Sequence, residues 1–319
     1  MNASAVIIDT DPGLDDALAL FLACASPELD IIGIVTVAGN IGLAATTANA
    51  LKLVAFLDRG EIPVIAGCAR PLEREPLAAA DIHGEDGLGG VVLPPPEQSA
   101  LAADATDWMA DQLTRRPGRS LRILALGPLT NLARLVEARP DAARRLAGII
   151  AMGGAVRERG NVTPFAEFNV AADPEAAAIV LRSGVPITLV PLDVTRKVTA
   201  DRDWNARLAK AGGKVAAASA AMIEAYLGNI ARRRLAAGLP NAQAQVPGFP
   251  LHDPCVMLHA IDPTLFRAER LPIRVVAERS ERDGQTLIDE EAGTPIDVLT
   301  QAETGRALAL VLERLAGLP

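Results

Sequence analysis

Short apolar runs alternate along this chain with amphipathic stretches of helical length. Val6-Ile7-Ile8 reads as a buried strand, and Asp15 to Ala25 as the helix that follows it. Ile31 to Val37 and Pro63 to Ala66 are further strands, separated by a helix over Thr46 to Leu57. Leu101 to Arg115 reads as helix; Leu121 to Leu126, Ile149 to Met152 and Ile187 to Val190 read as strands. Strands that are apolar throughout, alternating with helices, predict an α/β fold: a mostly parallel central sheet flanked by helices on both faces. The second half is more helical, with candidates at Asp201 to Ala211, Ala216 to Leu235 and Thr300 to Leu315. The Ala-rich stretch from Ala216 suits a helix because Ala is the best helix former. Arg274 to Glu278 and Thr286 to Asp289, joined through Asp283-Gly284, predict a late hairpin. No repeat or long linker divides the chain, so residues 1–319 are expected to form a single domain.

Composition narrows the function classes. Half of the 319 residues are apolar but only 3% are aromatic, so the core must be built from Ala, Leu, Val and Ile. The net charge is -8 with both signs interspersed, which argues against phosphate-driven nucleic-acid binding. The three cysteines, Cys24, Cys68 and Cys255, match no disulfide or zinc spacing and read as reduced thiols. The N-terminus lacks the pattern of a secretory signal, and no apolar run reaches the ~20 residues of a bilayer span. A cytoplasmic protein with no membrane or nucleic-acid partner is expected.

In open parallel sheets ligands bind beyond the carboxyl ends of the strands, and there the residues become informative. After the first strand comes Asp9-Thr10-Asp11-Pro12-Gly13-Leu14-Asp15-Asp16. Four carboxylates within eight residues repel one another, and in a low-dielectric site they require a cation. All-oxygen ligands favour Ca²⁺ or Mg²⁺ over softer metals. Ordinary helix caps and turns are the plainer reading of some of these aspartates. Gly39-Asn40 follows the second strand, where a lone Asn is more often a turn residue than a ligand. Gly127-Pro128-Leu129-Thr130-Asn131 and Gly153-Gly154 follow later strands. Glu167 and Asn169 stand two apart, so from an extended segment both can reach adjacent hydroxyls of a sugar. Asp253 precedes an apolar helix and is either a site residue or that helix's N-cap.

Taken together, these segments resemble the inosine-uridine-preferring nucleoside hydrolase family. The matching stretches are Asp9 to Asp16, Gly39-Asn40, His83-Gly84-Glu85-Asp86-Gly87-Leu88-Gly89, Gly127 to Asn131, Met152-Gly153-Gly154, Gly160-Asn161 with Glu167-Phe168-Asn169, and His252-Asp253-Pro254. They occur in the family's order from residue 6 to about 260, and Gly284-Gln285-Thr286 resembles a family hairpin. The resemblance implies a Rossmann-like domain that hydrolyses the N-glycosidic bond of ribonucleosides. It implies one Ca²⁺ held by Asp11, Asp16, Asp253 and the main-chain carbonyl of Leu126. Family members usually carry Thr at that last position; a backbone ligand should survive the change. Asp15, Asn161, Glu167 and Asn169 match ribose binders, Met152 packs by the sugar, and Asn40 lies near the metal. The attacking water, held by Ca²⁺, would give its proton to Asp11. A homodimer or homotetramer is the usual association.

The leaving base needs a proton or an electron-poor setting. His252, next to Asp253, is the first candidate acid, and His83 on its Gly-rich loop is the second. A satisfied loop histidine remains a reading for His83, and His259 on the following helix reads as structural. Between Ala216 and His252, where family members place base-stacking aromatics, this chain offers Tyr226 and Phe249, with Arg233 and Gln243 as polar candidates. Two other functions fit parts of the pattern. A haloacid-dehalogenase-like phosphatase also opens with Asp-x-Asp after a strand, but Gly13 and the extra Asp15-Asp16 suit it poorly. A calcium-dependent nucleoside- or sugar-binding protein that has lost catalysis would keep the same ligands.

Overall fold

The computed structural model describes residues 3–238 and 246–318. Its strands, in chain order, are β1 (Ser4–Thr10), β2 (Leu29–Thr36), β3 (Val64–Ala66), β4 (Leu121–Ala125), β5 (Gly148–Met152), β6 (Ile187–Val190), β7 (Thr199–Ala200), β8 (Phe249–Pro250), β9 (Phe266–Val275), β10 (Thr286–Ile288) and β11 (Thr294–Ala302). Among the described residues, nine of them form one sheet in the order β10-β9-β11-β6-β5-β4-β1-β2-β3. The run from β11 to β3 is parallel, and β9 pairs antiparallel with both β10 and β11.

Strand β1 shows why both faces are covered. Val6 and Ile8 enter one apolar cluster and Ile7 the other, as the two-residue period of a strand demands. The first cluster packs β1 against the helix Leu14–Cys24, which is buried over most of its surface. The second holds Ile123 and Ile149 against helices on the opposite face. Strand order reverses between β1 and β4, so the loops leaving these two strands diverge and leave a crevice at the switch point. The acidic stretch leaves β1 there, beside Leu126 and Gly127 after β4.

A second, two-stranded sheet carries a distant segment to that crevice. Thr199 pairs with Pro250 and Ala200 with Phe249, and the Leu251 N–H donates to the Val198 carbonyl at 2.8 Å. Gly248 is required for this approach, since a Cβ there would come within 2.4 Å of the Ala200 carbonyl. His252 and Asp253 follow directly.

The largest departures from the expected boundaries are at three places. The helix read from Leu101 begins at Ala105, because the Asp104 carboxylate accepts the Asp107 N–H and caps it. The helix read from Thr300 begins at Thr304, since Thr300 to Ala302 complete β11. The late hairpin exists, but its first strand starts at Phe266. Arg267, Glu269 and Arg270 lie on that strand's exposed positions and mask its apolar signal. No helix among the described residues is long and apolar enough to cross a membrane, and the three cysteines are free.

Candidate active site

The loop after β1 folds around Asp16. Its carboxylate accepts hydrogen bonds from Thr10 Oγ1 (2.5 Å), the Asp11 N–H (3.3 Å), the Gly13 N–H (2.9 Å) and Asn40 Nδ2 (3.0 Å). Asp16 sits in the first turn of the helix Leu14–Cys24, where the helix dipole favours a negative charge. Asn40 stitches the loop to β2: its N–H donates to Asp11 Oδ2 at 2.7 Å, and its Nδ2 also reaches the Asp11 carbonyl at 3.2 Å. Gly39 and Gly127 press against Asp11. A Cβ at either would lie within 2.0 and 2.4 Å of its two carboxylate oxygens.

Asp15, Asp16 and Asp253 each direct a carboxylate oxygen into a space where all three lie within 4.8 Å of one another. The sequence pairing of distant Asp253 with the first loop is therefore realised, with Asp15 in the third corner. Asp11 stands beside this group. Its Oδ1 is buried and has no hydrogen-bond partner among the described residues. Burial, then Asp16, pushes the Asp11 carboxyl well above the usual carboxylate range. Burial and the charges of Asp15, Asp16 and Asp11 do the same to Asp253. Asp15 is pushed up to about 8 by burial and Asp16, and Asp9 to about 7 by burial against the hydrogen bond from Asn131. Clustered carboxylates under such repulsion, an orphaned oxygen and an all-oxygen donor set together suit a hard divalent cation.

The carboxylates predict a pH signature for the metal-free protein. Folded pKa values raised to about 7 and about 8 favour protonation, so their stabilisation is present at low pH and lost as pH rises through those values. The unfolded chain gives up these protons near the ordinary carboxylate value of 3.8, so between about pH 4 and about pH 8 the melting temperature of chelated protein should fall and level off above that, and saturating Ca²⁺ should flatten the slope. A chelated protein whose melting point is level across that interval contradicts this electrostatic picture.

Above the carboxylates lies a cavity of about 480 Å³, within the range of small-molecule sites. Asp15, Asn40, His83, Leu126, Met152, Asn161, Glu167, Asn169, His252 and Asp253 all line it, while Asp11 and Asp16 are buried and do not reach its surface. Glu167 caps the helix Phe168–Ala172: its carboxylate accepts the N–H groups of Asn169 (2.9 Å), Val170 (3.2 Å) and Gly154 (2.9 Å). Asn169 Nδ2 donates to the carbonyls of Leu126 (2.5 Å) and Met152 (3.2 Å). Leu126 lines the cavity, and its carbonyl has one lone pair engaged by Asn169. Asn161 Oδ1 accepts the Phe168 N–H at 2.9 Å. Asp9 Oδ2 accepts from Asn131 Nδ2 at 2.8 Å.

The histidines divide by their partners. His83 Nδ1 accepts the Leu14 N–H at 3.0 Å, satisfying a free donor at a helix start. Its pKa falls to about 4 through burial, so His83 is a neutral imidazole with Nε2 left for other work. Gly13 makes room for it, since a Cβ there would meet Nδ1 at 2.4 Å. His252 Nδ1 shares a 2.7 Å hydrogen bond with Thr195 Oγ1, and burial with Arg196 lowers its pKa to about 3. His259 packs edge-on against Phe266 and does not line the cavity.

The outer wall holds residues that sequence reasoning reached only in part. Tyr226 and Phe249 stand edge to face with centroids 4.6 Å apart, and Arg233 Nε lies 3.4 Å from Asp81 Oδ2 at the same wall. Gln243 lies outside the described residues. Leu77, Ala78 and Ala79 were missed, as were Arg196, which also lines the wall, and Thr195, which hydrogen-bonds His252 without lining the cavity. The strand-end rule, carried past Val190 to Pro191–Arg196, would have found the last two. The segment at Leu77 follows no strand directly and offered no signal.

Known proteins resemble this chain along nearly its whole length. A family model described as inosine-uridine preferring nucleoside hydrolase matches residues 6–309. The pyrimidine-specific ribonucleoside hydrolase RihA of Photobacterium profundum is 38% identical, covering 98% of this chain and 98% of its own. The RihA of Citrobacter koseri is 37% identical over 89% of this chain and 88% of its own. Among solved structures, a plant nucleoside hydrolase, PpNRh1, superposes with a TM-score of 0.90 at 34% identity, covering 98% of this chain and 99% of that one. A purine-preferring ribonucleoside hydrolase from Gardnerella vaginalis superposes at 0.89 with 29% identity, covering 98% of each.

Proposed function

The chain belongs to the inosine-uridine preferring nucleoside hydrolase family, and from that membership we propose that Asp11 activates water to split the N-glycosidic bond of a ribonucleoside, giving ribose and free base. The observation that carries the proposal is the meeting of Asp15, Asp16 and Asp253 beneath the cavity, beside an Asp11 oxygen with no partner. Family membership sets aside the phosphatase reading.

A hard divalent cation at these carboxylates, for which Ca²⁺ suits the donor set, would supply the charge that orients water and the ribose diol. Asp16 and Asp253 would hold it, joined by Asp15, Asp11 and the Leu126 carbonyl. Asp11 Oδ1 accepts the water proton. Glu167 and Asn169, fixed by their own hydrogen bonds, receive ribose hydroxyls with Asn161, and Met152 packs against the ring. The attacking oxygen bonds to the anomeric carbon as the C–N bond breaks, and its electron pair leaves with the base. The positive charge that develops on the ribosyl ring is stabilised by the surrounding carboxylates. At neutral pH His252 is a neutral imidazole, so it assists through a hydrogen bond to the departing base rather than as a standing imidazolium. His83, with Nδ1 committed to Leu14, supports the loop and leaves only Nε2 for the base.

His252→Ala should lower kcat on uridine by about 10²-fold. The loss should be much smaller on an aryl riboside whose leaving group needs no proton. Equal losses on both substrates, in a steady-state comparison, remove His252 from leaving-group assistance. Initial rates on uridine, cytidine, inosine and adenosine test the reaction class itself, and release of base from none of them defeats it.

A further inference from the structure

The turn that follows β6 grips two separate parts of the site. The Asp193 carboxylate accepts the N–H groups of Val156 at 2.9 Å and Arg157 at 2.7 Å. The Arg196 guanidinium donates from Nη1 to the Arg159 carbonyl at 2.6 Å and from Nη2 to the Gly160 carbonyl at 3.1 Å. Between them, fully buried Thr195 shares its 2.7 Å hydrogen bond with His252 Nδ1. The segment from Val156 to Gly160 lacks regular structure, so its backbone groups need partners from elsewhere. The rigid fork of an arginine can satisfy two carbonyls in one geometry. Gly160 is pressed from the other side, since a Cβ there would meet the Ala166 carbonyl at 2.2 Å. Asn161 is the next residue, and its backbone N–H donates to that same carbonyl at 3.1 Å.

We propose that the Asp193–Arg196 turn is a positioning element with two separable arms: Arg196 sets Asn161 for the ribose, and Thr195 sets His252 for the departing base. The inference rests on the hydrolytic reading above. Each arm acts through another residue, so each leaves its own kinetic mark. Arg196 governs ground-state placement of the sugar, and its loss should appear in KM. Thr195 governs the geometry of leaving-group assistance, and its loss should appear in kcat.

The test compares uridine with p-nitrophenyl β-ribofuranoside, whose phenolate leaves without a proton. Arg196→Ala should raise KM about tenfold on both substrates with kcat changed less than about threefold. Thr195→Val should lower kcat on uridine by about tenfold or more, with KM nearly unchanged, and show little loss on the aryl riboside. Thr195→Ser, which keeps the hydroxyl, should restore kcat. Arg196→Lys, which can reach only one carbonyl at a time, should restore part of the KM. Combined Arg196→Ala and Asn161→Ala should be no worse than Asn161→Ala alone. Equal losses in kcat and KM from both variants on both substrates, or no loss at all, overturn the two-arm assignment while leaving the hydrolytic reading intact. A wild-type protein that leaves the aryl riboside intact and releases base from none of uridine, cytidine, inosine and adenosine overturns both.

Discussion

Asp11→Asn should leave a folded protein whose kcat on a ribonucleoside has fallen by about 10³-fold or more, toward the upper end of what a general base contributes. The side chain has one oxygen tied to the Asn40 N–H at 2.7 Å and the other buried without a partner. An amide of the same shape can keep the first contact but cannot take a proton from water. The second half of this expectation is thermodynamic. Burial and Asp16 already disfavour the charged form of Asp11, so a neutral replacement relieves repulsion. The metal-free variant should therefore melt no lower than metal-free wild type. Loss of activity together with a large drop in melting temperature would assign Asp11 to the fold; full activity would remove it from the chemistry.

Asp253→Ala should weaken Ca²⁺ binding by more than about 100-fold, since even the partners that merely orient ligands are worth 10–100-fold in metal affinity. Asp253 comes from a segment far along the chain, held in place by β7 and β8, and completes the triangle with Asp15 and Asp16. Calorimetric titration of chelated protein reads the affinity directly. A second reading comes from stability: wild type should gain about 2.7 kcal/mol when Ca²⁺ is present at a hundred times its Kd, and the variant almost nothing at that concentration. Undiminished Ca²⁺ affinity in the variant would move the cation away from this corner.

Much of this site is legible in the sequence, because its parts sit where parallel-sheet topology puts them. Asp9 to Asp16, Asn40, Leu126 and Met152 all lie at or just past the ends of apolar strands that the hydrophobic pattern marks clearly. Asp253 is different: nothing local distinguishes it from a helix cap, and family resemblance alone tied it to the first loop. What joins them physically is the two-residue pairing of β7 with β8, too short for any periodic signal. The precise division of labour was also hidden. Asp15 joins the close carboxylate group and Asp11 stands beside it, a difference set by loop geometry around Asp16 and Asn40 rather than by spacing. The tautomer of His83 follows from an N–H offered 69 residues earlier in the chain. Strand β9 escaped because an exposed strand that carries Arg267, Glu269 and Arg270 lacks the apolar run that betrays a buried one.

The most direct measurement follows the fate of uridine in phosphate-free buffer with the metal-replete protein and, in parallel, with protein stripped by chelator and confirmed metal-free by elemental analysis. The account predicts uracil and ribose in equal amounts from the first, neither from the second, and recovery on adding Ca²⁺. Uridine bound but unbroken by the metal-replete protein, with other ribonucleosides equally intact, would contradict it and identify a binding protein built on the same carboxylates.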